Sequence, residues 1–519
     1  MTPMVFSNWP SRHDADTGTT HVWVPPSALP ETCAGLAGAG ARLVVMTATD
    51  ERPLGRGFGL YYVFALASGE SVAVCAMLDP AHPSFPSVTP VVPAAHWYER
   101  EAKDLFGVDP QGHPDPRRLV LHPDWPLGVH PLRKDFDGSQ PVGRIAHDDV
   151  TMTGVRGDGV MEIPVGPIHA GIIEPGHFRF GGVGELVLDL EARLFYTHRG
   201  IEKSAEGRAV ERVLVLAERI CGVCSLSHAV AFCQAIESLA GTRPSVRARL
   251  VRSVFLELER LYNHVGDLAN LCAGASLQLG VYQGGVLKER LQELNAAVGG
   301  HRYLFGIAWP GGVSRDLDAA ARATISGTLS ELEPQVRAFV AALLDTESFM
   351  ERLIGTGILA HELAESLGAV GVTARASGLA RDVRHDHPYA AYAPGLVTPV
   401  TRAEGDVRAR MLVRIDEVFA SFALIRRFTG ELAELAPGGL VVPVGALPPE
   451  RWAMGAVESP RGEDVHWVMT GREGEIYRYR VRSASYNWAL VPFAVVGNLL
   501  PDFPLINKSF ELCYACLDR

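Results

Sequence analysis

The 519-residue chain lacks several features that define large classes of proteins. Its first residues, MTPMVFSNWPSRHD, contain no apolar core and no small-residue cleavage site, so we expect no secretory signal. The apolar stretch at residues 488–500 is too short for a bilayer span, and Pro492 interrupts it. A basic excess is also missing, because 48 Lys and Arg stand against 59 Asp and Glu, a net charge of −11. We therefore expect no nucleic-acid partner and only an indirect contact with a membrane.

The composition is that of a folded chain with more than one domain. Apolar residues make up 47% and charged residues 21%, which is ordinary for a globular protein, and 519 residues exceed the size of a single core. Residues 1–136 are predicted to form an α+β domain, with strands at 41–49, 59–66 and 70–78 and a helix at 96–106. Residues 137–159, rich in Gly, Asp and Thr, are predicted to be a linker.

Residues 160–519 are predicted to form a mainly α-helical domain, ending in strand-like segments such as 474–482. Apolar residues recur at helical spacing in six segments: 184–196, 209–217, 245–271, 283–298, 316–344 and 406–435.

Four of the eight cysteines form two Cys-x-x-Cys pairs, Cys221 with Cys224 and Cys513 with Cys516. Without a secretory signal, such pairs indicate a metal or redox site rather than disulfides, and four thiolates suit Zn, Fe–S clusters or Ni. The pairs are separated by 289 residues, whereas zinc ribbons usually close within a few tens. Spacing alone leaves a structural zinc site and two unrelated pairs as alternatives. The other four cysteines, Cys33, Cys75, Cys233 and Cys272, are predicted to be buried apolar residues.

The residues around these pairs resemble the nickel-binding motifs of [NiFe]-hydrogenase large subunits. RICGVCSLSH at 219–228 is similar to the first motif, and CYAC at 513–516 is similar to the second. The resemblance implies that Cys224 and Cys516 bridge nickel and iron, that Cys221 and Cys513 bind nickel alone, and that the iron carries CO and cyanide ligands.

Other segments resemble the surroundings of that centre, although each residue also has an ordinary structural explanation. GPIHAGIIEPGHFRF at 166–180 is similar to the segment with the proton-transferring glutamate, which implies Glu174 as a catalytic base. ESPRG at 458–462 is similar to the EAPRG segment, which implies that Arg461 lies over the open metal position. His228, four residues after Cys224, is expected to donate a hydrogen bond to a cysteine sulfur.

A magnesium site is a further implication of the resemblance. THRGIEK at 197–203 places Glu202 where the family has a magnesium ligand. The family's second ligand is a histidine at the position of Arg519, so an ion pair between Glu202 and Arg519 is the alternative.

The N-terminal region points to one branch of the family. HWYEREAKDLFG and HPLRKDF, within residues 96–136, resemble the 30-kDa subunit of respiratory complex I, and ERLYNHVGDL at 259–268 resembles its 49-kDa subunit. This fusion with intact cysteine pairs is similar to the large subunits of group 4 membrane-bound hydrogenases, including formate hydrogenlyase. The resemblance implies a peripheral location on the cytoplasmic side of the membrane. It also implies three kinds of partner: a small [4Fe–4S] subunit, a ferredoxin-like subunit and antiporter-like membrane subunits. No cysteine is left for an Fe–S cluster in this chain.

Two departures keep other functions open. Glu511-Leu512 stands where the family has Asp-Pro, and Arg519 stands where the formate hydrogenlyase branch is processed. A complex I-like quinone-site or coupling subunit without hydrogenase activity, and a zinc-stabilised scaffold, are therefore the alternatives to a catalytic hydrogenase subunit.

Overall fold

A computed structural model describes residues 9–14, 17–146, 154–169 and 173–519. The described parts of the predicted linker, 137–146 and 154–159, contain neither helix nor strand, and its remaining residues lie outside the described ones. Residues 1–8, 15 and 16 of the predicted first domain also lie outside them. The domain boundaries themselves stay predictions.

The N-terminal region is built on a five-stranded sheet flanked by two helices. The sheet has the order β1-β2-β5-β4-β3, and only the β2–β5 pair is parallel. The predicted strands and the predicted helix at 96–106 are confirmed. The elements are β1 (Ser11–Asp14), β2 (Thr19–Trp23), α1 (Leu29–Gly38), β3 (Arg42–Asp50), β4 (Phe58–Ala65), β5 (Ser71–Leu78), β6 (Ser84–Pro86), α2 (His96–Phe106) and β7 (Asp109–Gln111).

A three-stranded antiparallel sheet follows, in the order β10-β9-β8. Its strands are β8 (Met161–Val165), β9 (His177–Val183) and β10 (Leu186–Arg193). The helix predicted at 184–196 is therefore wrong. Leu190 and Leu194 are buried four residues apart, which mimics helical spacing, but the segment pairs along its length with β9 instead. Tertiary pairing overrides local periodicity here.

The rest of the chain is mostly helical, as predicted. Its helices are α3 (Ile201–Ala205), α4 (Val210–Glu218), α5 (Ser225–Leu239), α6 (Val246–Gly274), α7 (Gln278–Gly299), α8 (Ala319–Leu344), α9 (Glu347–Leu353), α10 (His361–Ser366), α11 (Gly371–Ala376), α12 (Val383–Asp386), α13 (Val407–Glu434), α14 (Val491–Val495), α15 (Phe503–Phe510) and α16 (Tyr514–Asp518). Its strands are β11 (Ala308–Trp309), β12 (Gly312–Val313), β13 (Trp452–Ser459), β14 (Gly462–Thr470) and β15 (Ile476–Arg482).

Four long helices, α6, α7, α8 and α13, pack as a bundle, and their predicted positions are confirmed. Three of them begin at a side chain that accepts a hydrogen bond from the first helical turn: Ser245 for α6, Asp318 for α8 and Asp406 for α13. Among the described residues, none of the helices is both long enough and apolar enough to cross a bilayer.

The sheet β13-β14-β15 joins the N-terminal region to the helices. One side packs on α5, and the other side packs on the five-stranded sheet through Tyr61, Trp452 and Trp467. The centroids of the Tyr61 and Trp467 rings are 5.5 Å apart. This central sheet therefore fixes α5, and the Cys221–Cys224 pair that precedes it, against the N-terminal region.

Candidate metal centre

The four paired cysteines come together from the two ends of the helical region. Cys221 lies in the turn after α4, and Cys224 immediately precedes α5. Cys513 immediately precedes α16, and Cys516 lies inside it. Each pair thus sits at the start of a helix, where free backbone N–H groups favour a thiolate.

The sulfur atoms are close enough to share one metal centre. The Sγ atoms of Cys221 and Cys513 are 3.1 Å apart, and those of Cys221, Cys224 and Cys516 all lie within 4.8 Å of one another. Hydrogen bonds from Cys221 and Cys516 lower the pKa of the Cys224 thiol, whereas the hydrogen bond with Cys221 raises the pKa of Cys513 to about 12. The four thiols cannot all ionise together without a cation, which fits a soft metal bound by thiolates.

Arg199 ties the two cysteine segments to each other. Its guanidinium donates to the carbonyl oxygens of Arg219 and Ile220 at 2.9 and 2.8 Å, and to that of Ala515 at 2.9 Å. Arg219, two residues before Cys221, pairs with Glu218 and lies over the ring of Phe305. The sequence did not predict this role of Arg199, because its hydrogen-bond partners are backbone atoms distant in sequence. The residue does lie in the quoted THRGIEK segment.

His228 lies in the first turn of α5, where its backbone N–H donates to the Cys224 carbonyl at 3.0 Å. Its Nε2 is 3.4 Å from the Sγ of Cys516, so the expected contact with a cysteine sulfur is present. Its Nδ1 is 2.9 Å from Nε2 of His466, a residue that the sequence analysis did not single out.

Glu174 reaches the second cysteine segment. Its Oε2 accepts a hydrogen bond from the backbone N–H of Ala515 at 2.9 Å. Burial, with the negative charge of the Cys513 thiolate in second place, raises the pKa of Glu174 to about 7. A half-buried carboxyl with a pKa near neutrality, beside a candidate ligand, is suited to accept and release protons.

Arg461 occupies the turn between β13 and β14 and is nearly fully buried. Its guanidinium is paired with Asp267 on α6 and lies 3.4 Å from the Oδ1 of Asn263. Arg461 also stands close enough to Cys224 for the thiolate to help raise the arginine pKa, after the effect of Asp267. Asp267 was not predicted, because only the fold brings this part of α6 to the β13–β14 turn.

The departure at Glu511-Leu512 keeps a carboxylate in the site. Glu511 has a left-handed backbone (φ 51°), and its Oε1 accepts from Asn270 at 2.7 Å. Its Oε2 is 4.0 Å from Nη2 of Arg461, while Leu512 is buried in the apolar core. This position therefore retains a carboxylate, on a longer side chain.

The surroundings of Glu202 do not fit Mg²⁺. Its carboxylate accepts from Arg478 at 2.8 Å, from Arg480 at 3.2 Å and from the N–H of Val481 at 3.0 Å, and Arg519 Nε lies 3.4 Å away. Three guanidinium groups occupy the space that a cation and its water ligands would need. The expected magnesium ligand is thus corrected to a buried ion-pair partner, and the pairing with Arg519 is the alternative that the geometry favours.

The remaining cysteines, Cys33, Cys75, Cys233 and Cys272, are buried and unpaired as predicted. Within the residues that the structure describes, Cys221, Cys224 and Cys516 are the one group of three or more potential ligands with such close spacing.

Comparison with known proteins agrees with this geometry. Residues 22–142 match the family described as respiratory-chain NADH dehydrogenase, 30 Kd subunit, and residues 285–442 and 440–519 match the 49 Kd subunit. Residues 199–273, which carry the first cysteine pair, match nickel-dependent hydrogenase.

Two curated relatives from Escherichia coli (strain K12) extend over most of the chain. Formate hydrogenlyase subunit 5 is 38% identical over 92% of this chain and 85% of its own length, and hydrogenase-4 component G is 37% identical over 92% and 84%. A solved structure of the membrane-bound sulfane sulfur reductase, an archaeal respiratory membrane complex, contains a chain with a TM-score of 0.65 and 26% identity. It covers 70% of this chain and 99% of its own length. This chain therefore belongs to the family of group 4 membrane-bound [NiFe]-hydrogenase large subunits, in which a 30-kDa-like region is fused to a 49-kDa-like region.

Proposed function

We propose that this chain is the catalytic large subunit of an energy-converting [NiFe]-hydrogenase, which interconverts H₂ with two protons and two electrons. The observation that carries the proposal is the convergence of four cysteines from segments 289 residues apart in a chain of this family. A zinc scaffold would not require a buried arginine, a carboxyl with a pKa near 7 and a histidine around the same sulfurs.

In this proposal the four paired cysteines, Cys221, Cys224, Cys513 and Cys516, would hold nickel and iron. When bound, such a centre, with CO and cyanide on iron, supplies the heterolytic activation of H₂. His228 donates to the sulfur of Cys516 and so limits its negative charge.

Glu174 and Arg461 have separate tasks. Glu174 exchanges the proton at its carboxylate, because its pKa of about 7 lets both protonation states occur near neutral pH. Arg461, held in place by Asp267, keeps a fixed positive charge beside the Cys224 side of the centre. It thereby stabilises negative charge that develops there without any rearrangement of the protein.

The proposed reaction needs partner subunits that carry electrons. The four cysteines outside the centre are isolated from one another in sequence and buried, so electrons need carriers on other chains. We propose the three partners that the resemblance implies: a small [4Fe–4S] subunit, a ferredoxin-like subunit and antiporter-like membrane subunits. The chain would then sit peripherally on the cytoplasmic side of the membrane.

Metal analysis of the assembled complex tests the proposal. We expect nickel and iron near one each per chain, together with infrared bands of CO and cyanide. Zinc alone, or no metal, in a fully assembled complex would contradict it and favour the quinone-site or scaffold alternatives.

The variant Cys513→Ala adds a functional test. Because soft-metal sites need all of their ligands, we expect the loss of H₂ evolution from artificial electron donors. The matched control is Cys272→Ala, a buried cysteine on α6 outside the centre, which should keep both metals and turnover. H₂ evolution by Cys513→Ala at the rate of the unaltered protein would contradict the assigned ligand set.

A further inference from the structure

A line of three buried side chains extends from Cys516 into the central sheet. His228 Nε2 lies 3.4 Å from the Cys516 sulfur, and His228 Nδ1 lies 2.9 Å from Nε2 of His466 on β14. The Nδ1 of His466 is 2.7 Å from the hydroxyl of Tyr479 on β15. All three side chains are fully enclosed.

The chemistry of the sulfur fixes the direction of every hydrogen bond in this line. A metal-bound thiolate can accept a hydrogen bond but cannot donate one, so the proton of neutral His228 must be on Nε2. Nδ1 of His228 is then an acceptor, which places the proton of neutral His466 on its Nε2. Nδ1 of His466 is in turn an acceptor, and the hydroxyl of Tyr479 is its donor.

The surroundings agree with neutral rings in this arrangement. Both imidazole rings are completely buried, and burial favours the neutral form of a histidine. The nearest carboxylate, Asp464, has its Oδ2 3.9 Å from His228 Nε2, and it also favours a proton on that nitrogen. The ring of Tyr479 packs edge-on against Phe232, with centroids 5.7 Å apart, so apolar contact alone would be equally served by phenylalanine. Within the described part of the chain, the hydrogen-bond partner of the hydroxyl is His466.

We propose that His466 and Tyr479 are positioning residues that fix the tautomer of His228 and thereby the hydrogen bond to the Cys516 sulfur. The inference rests on the proposed function. Aligned hydrogen bonds polarise one another, so the hydrogen bond from the Tyr479 hydroxyl to His466 also strengthens the hydrogen bond from His228 to the Cys516 sulfur. Hydrogen bonds to metal-bound sulfur withdraw charge from the metal and raise its reduction potential.

The decisive variant is Tyr479→Phe in the assembled complex, measured by the infrared bands of CO and cyanide. Without the hydroxyl, His466 no longer has a donor for Nδ1, and the preference for the tautomer that supports His228 is lost. The sulfur then donates more charge to the metals, so we expect the CO band at lower wavenumber and a more negative potential for the centre. Both readouts are independent of turnover.

The matched control lies two residues away on the same strand. The hydroxyl of Tyr477 donates to the carbonyl oxygen of Asp50 at 2.6 Å, away from the centre. Tyr477→Phe should therefore leave the bands unchanged. Bands of Tyr479→Phe at the positions of the unaltered complex, with full metal content, would overturn the inference.

If Tyr479→Phe loses metal, two variants of His466 test the inference instead. In His466→Gln the amide can accept from Tyr479 and donate to His228, so the bands should stay close to their original positions, whereas His466→Leu should displace them. Equal displacement in both would overturn the inference. Absence of CO and cyanide bands from the unaltered complex would instead contradict the proposed function itself.

Discussion

Arg199 joins the two cysteine segments, which are distant in sequence. It donates to carbonyl oxygens on both cysteine segments, and each of these bonds involves a charged donor. The guanidinium spreads its N–H donors over a wide planar fork that reaches three carbonyl oxygens, whereas the three donors of a lysine ammonium all leave one nitrogen. The closed arrangement of the two pairs therefore depends on arginine at this position.

We predict that Arg199→Lys lowers the nickel content of the purified complex. A hydrogen bond from a charged donor contributes about 1.5–3 kcal/mol, and at least one of the three would be lost. Nickel per chain, measured with the thermal unfolding temperature, checks this. Arg208→Lys is the control, because Arg208 is exposed and, among the described residues, its side chain bonds to the nearby Ser204 carbonyl. Full nickel occupancy in Arg199→Lys would show that the lysine suffices.

Glu174 carries the clearest pH dependence at the scale of one residue. Burial raises its pKa to about 7, so the carboxyl is mostly protonated below that pH and ionised above it. Proton delivery for H₂ evolution needs the protonated form, and proton removal for H₂ oxidation needs the ionised form. As pH rises through about 7, we therefore expect the evolution rate to fall and the oxidation rate to rise.

The variant Glu174→Gln should slow both directions by about 10²-fold or more, the usual contribution of a positioned acid–base group, and should remove this pH dependence. Metal content and CO bands should stay unchanged, since the amide can still accept from Ala515. Glu162→Gln, on the exposed part of β8, is the control. Unaltered rates in Glu174→Gln would assign proton transfer to another group.

The sequence predicted some residues of the candidate metal centre and its surroundings but not others. The four cysteines, Glu174, Arg461 and His228 lie in short motifs whose residue types suggest metal and proton chemistry. Asp267 lies in the ERLYNHVGDL segment, which indicated only the complex I relationship, and His466 lies in none of the quoted motifs. Each matters because folding places it beside a motif residue. Glu202 lies in a motif that predicted a magnesium ligand. In the structure it is an ion-pair partner instead, because Arg478 and Arg480 on β15 donate to its carboxylate.

At the scale of elements, the close contact of α5 and β13 holds the first cysteine pair in place. Gly455 on β13 lies against α5 so closely that a Cβ would come within 2.0 Å of the Ala231 carbonyl oxygen and 2.8 Å of the Gln234 Cβ. The strand can approach the helix backbone only because this residue has no side chain.

We predict that Gly455→Ala lowers the free energy of unfolding by about 1–3 kcal/mol, because the strand must move away from α5. Chemical denaturation of the assembled complex measures the change. Gly285→Ala on α7 is the control: no atom lies within 4 Å of its Cβ position, so alanine there should stabilise the helix by about 0.5–1 kcal/mol. A neutral Gly455→Ala would show that the two elements can separate at little cost.

Elements were predicted well where apolar periodicity is long and local. The helices α6, α8 and α13 each show it over 26 residues or more, and they form where expected. β10 was mistaken for a helix because its burial is set by pairing with β9, which a local pattern does not contain. The strand β14 is buried along its whole length between α5 and the N-terminal sheet, so it has no alternating pattern to detect.

At the scale of the whole molecule, the N-terminal region contacts the end of the chain that carries the second cysteine pair. Glu101 on α2 accepts from Arg519 at 2.6 Å and from Arg480 at 3.1 Å, and the Tyr486 hydroxyl donates to it as well. Asp518, next to Arg519, accepts from the backbone N–H groups of Phe195 and Thr197. The segment after Cys516 is thus anchored on both sides. The sequence did not predict this contact, since Glu101 lies in a motif of the other domain.

The ion pairs of Glu101 and Arg519 lie beside Glu202, where the sequence predicted a magnesium ion. We predict that Glu101→Gln destabilises the protein. Removing the charge of Glu101 leaves Arg478, Arg480 and Arg519 with Glu202 as their shared carboxylate, and breaking a buried ion pair in this way costs about 3–5 kcal/mol. Because the affected partner is Arg519, three residues after Cys516, the loss should reduce nickel retention as well as the unfolding temperature. Glu211→Gln on the exposed face of α4 is the control.

Chelation separates the ionic anchor from a metal one. If Arg478, Arg480 and Arg519 supply the positive charge around Glu101 and Glu202, treatment of the complex with EDTA and without added Mg²⁺ should leave the unfolding temperature unchanged. A fall on chelation that Mg²⁺ reverses would restore the magnesium assignment. Stability of Glu101→Gln equal to that of the unaltered complex would instead show that the N-terminal region merely lies against the catalytic one. The combination of chelator resistance with a destabilised Glu101→Gln is expected only if arginines, rather than a divalent cation, lock the cysteine-bearing end of the chain onto the N-terminal region.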